Sequence, residues 1–271
     1  MDLSRVNEYI ARVSESEKTV FKPVGRKLKV GLDIGTAYIV IVVLDEEDNP
    51  IACEMQAAEV VRDGVVVDYA GTLHIVKWLK EKLEQRLGRE LINCAIAMPA
   101  GTESSVKTHR YVAEGAGFEV SNVLDEPTAA NSIYQIKNGV VVDVGGGTTG
   151  LAIFEDGKVV KIADEPTGGT HVSLVLAGNY KIPYHEAEKI KMDYSRHREI
   201  LPVVRAVIEK MATIVIRNID RENTEAIYLC GGTCCLTGME DVFTNVTGIN
   251  TVKPENPFLV TPAGIAMNCP V

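Results

Sequence analysis

The sequence predicts an α/β protein made of two duplicated βββαβα half-domains, each with its own mixed sheet. Two observations carry this. The stretch VGLDIGTAYIVIVVL at residues 30–44 returns almost unchanged as VVVDVGGGTTGLAIF at residues 140–154, which places Asp143 110 positions after Asp33. Each copy opens a run of short apolar strands that gives way to alternating strands and helices, the pattern of a layered α/β domain.

The elements follow in order. In residues 1–27, Leu3, Val6, Ile10 and Val13 recur at helical spacing, with Arg5, Glu8, Arg12 and Glu15 between them. Asp2 is placed to cap this amphipathic helix, and Pro23 and Gly25 mark a linker after it. The helix can dock on a partner from its tether or fold back on the body, and the linker predicts docking. Residues 28–139 form half-domain I: a strand ending at Asp33, a turn at Gly35, a strand over 38–44, the turn DEEDNP at 45–50 and a third strand from Ile51. The acidic turn lacks calcium-ligand spacing and reads as a solvated loop. A helix over 72–89 carries Leu73, Val76, Leu79, Leu83 and Leu87 on one face, with Trp78 expected in the core. Then come a strand over 95–98 stopped by Pro99, a helix over 103–114, a strand over 120–124 and a helix after Pro127. Residues 140–260 form half-domain II, with helices over 172–176, 185–192 and 201–219 and a strand over 226–229 that runs into glycines and a helix. Residues 261–271 return to half-domain I.

Composition narrows the function. No run of about 18 apolar residues predicts a membrane span, and no basic stretch followed by an apolar core predicts a secretory leader, so a cytoplasmic protein is expected. A formal net charge of −9 argues against a nucleic-acid binder. The six cysteines fit no disulfide framework. Cys230, Cys234 and Cys235 lack the second ligand pair of a structural metal site and read as free thiols.

A strand that ends in Asp and turns on Gly holds a carboxylate at the sheet end and presents backbone N–H groups to an anion. Asp33, Gly35 and Thr36 form one such element; Asp143, Gly145, Gly146, Gly147 and Thr148 form the other. Three consecutive glycines are entropically costly unless something approaches the backbone closely, so a phosphate site is predicted. Two such turns could grip one phosphate chain, with the aspartates around a hydrated Mg²⁺. Gly231-Gly232 follow a strand, where a helix N-terminus would favour an anion. Glu126 stands at a strand end, where it can position water or complement the helix dipole. His171 is expected to cap a helix, and His74, His109, His185 and His197 to lie on surfaces or helix faces.

In order, LDIGTAY, DEPTAAN, VDVGGGTTG, LCGGTCCLTG and TPAGIAM resemble the two phosphate, two connecting and adenosine motifs of the actin-like ATPase superfamily, of ribonuclease H-like fold. VRDGVVVDYAG at 61–71 and the segment 167–191 are more similar to the MreB and FtsA branch than to Hsp70. The whole chain most resembles the ethanolamine-utilisation EutJ family, regarded as chaperone-like and encoded beside a bacterial microcompartment that houses ethanolamine ammonia-lyase. The resemblance implies ATP and Mg²⁺ as ligands. It gives Gly35, Thr36 and Tyr38 one phosphate role, and Gly146, Gly147 and Thr148 the facing one. Asp33 and Asp143 take the metal through water, Glu126 orients the attacking water, and Gly231 and Gly232 form the adenosine turn. Glu188 and Lys191 line base or ribose, and Gly168 and Gly169 turn into a helix approaching the nucleotide. Ethanolamine ammonia-lyase or microcompartment shell and core proteins are the implied partners.

The resemblance has departures. Gly150 stands where Hsp70 has a second aspartate, and Asp33 to Glu126 and Asp143 to Gly231 span only 93 and 88 positions. Insert subdomains must therefore be small, and rapid hydrolysis is not implied. Three functions share the motifs: a nucleotide-switched chaperone-like or assembly factor with slow ATPase activity, an MreB/FtsA-like filament scaffold, and a small-molecule kinase. The kinase would need a substrate pocket and base that the short inserts do not supply.

Overall fold

The computed structural model describes residues 2–58, 60–62, 65–98 and 103–270. Two units are resolved, Asp2–Gln135 with Leu259–Val271, and Ile136–Phe258.

The first unit begins with α1 (Ser4–Glu15) and the antiparallel strands β1 (Leu28–Ile34), β2 (Tyr38–Asp45) and β3 (Pro50–Ala57). A small hairpin, β4 (Val61–Arg62) with β5 (Val65–Val66), precedes α2 (Tyr69–Leu87). Then β6 (Asn93–Met98), α3 (Glu103–Gly115), β7 (Glu119–Asp125) and α4 (Glu126–Tyr134) follow. The sheet runs β3-β2-β1-β6-β7, with β6 and β7 parallel to β1. From Ile39 to Asp45, β2 is buried throughout, as its unbroken apolar run requires of a strand covered on both faces. Pro99, expected to stop β6, lies outside the described residues.

Capping sets the bounds of α2. The Asp68 carboxylate accepts from Gly71 N at 2.9 Å, which starts the helix ahead of Thr72, and Gly88 ends it at φ 66°. Its buried stripe is Thr72, Val76, Leu79, Lys80 and Leu83. This register turns Trp78 outward, 42% exposed, with the Lys82 ammonium 5.3 Å from its ring centre. The core position expected for Trp78 is thereby corrected.

The docking helix is corrected as well. Val6, Ile10 and Val13 of α1 are buried, and the helix packs on β3 and touches the last helix of the chain. Tyr9 Oη donates to Asp48 O at 2.8 Å. Arg86 ties the end of α1 to the sheet, donating to Ser16 O at 2.9 Å, Cys53 O at 2.9 Å and Glu54 Oε1 at 2.6 Å. The linker is also pinned: Phe21 N reaches Ile51 O at 2.9 Å and Val24 N reaches the Asp45 carboxylate at 2.9 Å. Asp45 itself is fully buried at the root of the acidic turn and accepts from Glu47 N and Asn49 N.

The second unit repeats the plan. β8 (Gly139–Val144), β9 (Thr149–Glu155) and β10 (Lys158–Glu165) are antiparallel; α5 (Gly169–Tyr180), α6 (Tyr184–Met192) and α7 (His197–Asn218) follow. After β11 (Ile227–Cys230), α8 (Met239–Thr247) and β12 (Thr251–Val252), the sheet runs β10-β9-β8-β11-β12, with β11 parallel to β8 and β12 to β11. The strand order and directions match those of the first sheet. The glycines after β11 lead into a 3₁₀ turn over Gly232–Cys235, and the expected helix starts only at Met239.

The chain then enters the first unit as α9 (Val260–Met267), which packs on α4 and β1. The approach is close enough to demand glycine. A Cβ on Gly264 would lie 2.0 Å from Ala129 O, and one on Gly31 2.4 Å from Ala266 N.

Candidate functional site

Both units close the same turn at the carboxyl end of their first strand. In the first, Gly35 N donates to Tyr38 O at 3.0 Å; in the second, Gly145 N donates to Thr148 O at 3.1 Å. Each turn joins strands whose last pairs are Ile34 with Ile39 and Val144 with Thr149. A Cβ on Gly35 would lie 2.9 Å from Tyr38 O, so that turn excludes a side chain. Asp33 and Asp143 occupy matching register positions, opposite Val40 and Gly150.

In the first unit, β1, β6 and β7 are parallel, so their carboxyl ends share one sheet end, where open α/β sheets bind ligands. Asp33 and Gly35, with Thr36 in the turn, lie at the end of β1, and Glu126 follows β7. One strand separates them, which sets β1 and β7 roughly 10 Å apart. Glu126 is the first residue of α4, which is capped by Asp125 accepting from Thr128 N at 2.8 Å. That cap leaves Glu126 half-buried at the sheet end.

The second unit adds a feature that the linear sequence hides. Gly150 pairs with Asp143 on one side and with Asp164 of β10 on the other. Directly paired residues share a face of the sheet, so two carboxylates flank a position that has no side chain. Thr148 donates a hydrogen bond to Asp164, while Asp164 Oδ1 is buried with no partner. Burial pushes the Asp164 pKa up to about 7, and Asp143 adds to the rise. The first unit has no such row, because Val40 and Met55 occupy the corresponding register. Asp164 went unread because cross-strand register is needed to place it beside Gly150.

The glycine turn is held from behind. Gly169 N donates to Gly145 O at 3.0 Å, Thr170 N to Gly146 O at 2.8 Å and Thr233 Oγ1 to Gly145 O at 2.7 Å. These bonds occupy the carbonyls of Gly145 and Gly146. A Cβ on Gly168 would sit 2.7 Å from Gly146 O and Thr148 N, and one on Gly231 2.3 Å from Asp143 Oδ1. Gly231 also has φ 91°, so it meets both conditions for glycine. A Cβ on Gly232 meets only the Phe258 ring, at 3.3 Å. His171 caps α5 as expected, its Nδ1 accepting from Gly168 N at 3.3 Å.

Beside this turn, Lys191 Nζ donates to Gly169 O at 3.2 Å and Glu188 Oε1 at 2.7 Å, and Ser173 and Tyr184 also donate to Glu188. Burial opposes ionisation of Glu188, but Lys191 and the hydroxyl donors outweigh it and hold its pKa below the usual range. Burial pulls Lys191 down against the attraction of Glu188. His197 in α7 and His109 in α3 lie on helices as expected, with their side chains buried. His197 Nε2 bonds Lys191 O at 2.9 Å, and Nδ1 accepts from Thr237 N at 3.0 Å, a pattern that suits the neutral ring.

Two duplicated sheets with Asp–Gly turns at their carboxyl ends are the fold of the actin-like ATPase superfamily. The MreB/Mbl protein model matches residues 51–199 and the cell division protein FtsA model residues 140–265. The ethanolamine utilization protein EutJ of Escherichia coli K12 is 42% identical over 240 residues, covering 88% of this chain and 85% of its own. The crystal structure of EutJ from Carboxydothermus hydrogenoformans matches with a TM-score of 0.89 and 48% identity, over 97% of both chains. MreB5 of Spiroplasma citri bound to AMPPNP shares the fold at a TM-score of 0.70 and 18% identity, over 89% of this chain and 95% of that one. The chain belongs to the EutJ family. Among the described residues, no helix is long and apolar enough to cross a membrane.

Proposed function

We propose that the chain binds Mg²⁺–ATP at the carboxyl-end turns of its sheets and acts as a nucleotide-operated assembly or chaperone-like factor in ethanolamine utilisation. The carrying observation is the pair Asp143 and Asp164 flanking Gly150 beneath the glycine turn. An orphaned buried carboxylate oxygen on Asp164 fits a cationic ligand. Among the described residues, no cluster of three metal-ligating side chains forms. This set suits Mg²⁺, which keeps most of its waters and takes few protein ligands; when bound, it would neutralise phosphate charge.

In this reading, the N–H groups of Gly35, Thr36 and Tyr38 in one half, and of Gly146, Gly147 and Thr148 in the other, hold phosphate oxygens. Asp33, Asp143 and Asp164 orient metal-bound water, and Glu126 orients the water that attacks. Glu188 and Lys191 hold ribose or base beside the Gly231-Gly232 turn. The half-domains 28–139 and 140–260 are the arms whose movement a partner reads. Ethanolamine ammonia-lyase or a microcompartment shell or core protein is the proposed partner, in keeping with the name of the EutJ relatives.

Thermal unfolding with and without Mg²⁺–ATP tests the reading. A ligand at a hundred times its Kd stabilises the folded state by about 2.7 kcal/mol. Gly146→Val should abolish the rise in melting temperature by placing a branched side chain where phosphate approaches. No shift in the unaltered protein at millimolar ATP refutes the proposal.

A further inference from the structure

At the opposite end of the first sheet, a cavity of about 250 Å³ opens between the start of β1 and the loop entering β6. Its floor is Leu28, Val30, Leu91 and Ile92, closed by Pro270. Val30 and Leu91 are buried, whereas Ile92 is 49% exposed and leaves apolar surface open to solvent. The rim carries Arg26, Lys27 and Arg89 against the single acid Glu90. Among the described residues, these three cations form no ion pair. The nearby Glu46 carboxylate accepts from Lys27 N at 3.4 Å.

We infer that this cavity is a docking site for an acidic peptide segment with a branched apolar anchor. The reading is independent of the proposed nucleotide site, because Leu28 at the cavity and Asp33 stand at opposite ends of β1, about 16 Å apart along the strand. Charge complementarity selects the occupant: a cationic rim on a chain of net charge −9 attracts acidic groups locally while the rest of the surface repels them. The volume lies below the range of about 300–1,000 Å³ for small-molecule pockets, so it admits a single apolar side chain while the rest of the occupant lies along the charged rim. The apolar floor selects a leucine- or isoleucine-like side chain over a purely polar ligand.

The test is fluorescence anisotropy of the full chain with a fluorescein-labelled peptide of glutamate, aspartate and leucine. Saturable binding is expected, weakening with salt, as exposed charge pairs do. Arg26→Glu with Arg89→Glu should weaken it about tenfold, and the uncharged Ile92→Ser should weaken it at unchanged salt dependence. Should the double variant melt early, Lys27→Glu alone should still weaken binding several-fold.

The site is overturned by absence of saturable binding, by equal binding of a peptide with lysine for each acid, or by equal affinity of a peptide with serine for leucine. Affinity unchanged in the charge-reversed chain overturns it too. Sedimentation must show a monomer whose state the double variant does not alter; self-association lost on charge reversal would assign the cavity to a second copy and overturn the peptide.

Discussion

Replacing Ile10 by alanine discriminates sharply between a tethered docking helix and a structural one. Ile10 is 1% exposed at the centre of the α1 stripe, between Val6 at 5% and Val13 at 0%. Truncating a buried isoleucine to alanine costs about 2–5 kcal/mol in lost transfer energy and residual cavity. At about 2–4 °C per kcal/mol for a domain of this size, melting should fall by roughly 4–20 °C. Exposed Glu8→Ala supplies the control and should stay within about 0.5 kcal/mol. Deleting α1 altogether removes three buried side chains worth about 1.5–3 kcal/mol each. That loss is comparable to the 5–15 kcal/mol that holds a typical domain folded. It also removes the Tyr9 hydrogen bond to Asp48 O. Differential scanning calorimetry of Ile10→Ala beside Glu8→Ala is the assay. Equal melting of the two would refute the packing argument and restore the docking helix.

Three further outcomes are expected. Asp164→Asn removes a buried carboxylate with an unpartnered oxygen, so it should leave melting without nucleotide unchanged or raised at pH 8 while shrinking the shift given by Mg²⁺–ATP; a loss of both would make Asp164 structural. Glu126→Gln should keep nucleotide binding and lower any single-turnover hydrolysis by about 10²–10⁴-fold, whereas unchanged turnover would leave Glu126 as a helix-start charge. Burial, followed by the nearby Lys253 charge, holds the His197 pKa below its usual 6.5, so its contribution to stability is complete above pH 6.5 and is lost as pH falls toward the folded value. His197→Gln should flatten the dependence of melting on pH between 7.5 and 5.5, and an unaltered slope would refute the role.

What the sequence determined by itself is local. The recurrence of Asp–Gly turns after apolar strands is written in consecutive residues, and so is the periodicity of α2, α6 and α7. The duplication implied that the two sheets would match, but their strand order was set by tertiary pairing. The amphipathic stripe of α1 showed that the helix needs an apolar partner but not which one; β3 and the Arg86 bonds decided that. Trp78 was misplaced because its neighbours at helical spacing include both exposed and buried faces, and only packing against the sheet set the rotation of α2.

Asp164 lay furthest from view. It stands 21 residues after Asp143, and nothing in its neighbourhood marks it. Its relation to the turn exists only because β9 presents Gly150 between the two acids. The cavity at the amino ends of β1 and β6 is likewise tertiary, assembled from residues 26–28, 30, 89–93 and 270. Turns and periodicities are set by short-range sterics and hydrogen bonding, which a sequence records directly. Register across a sheet and the convergence of distant loops arise only when the chain buries its apolar faces, so those were decided by the tertiary structure.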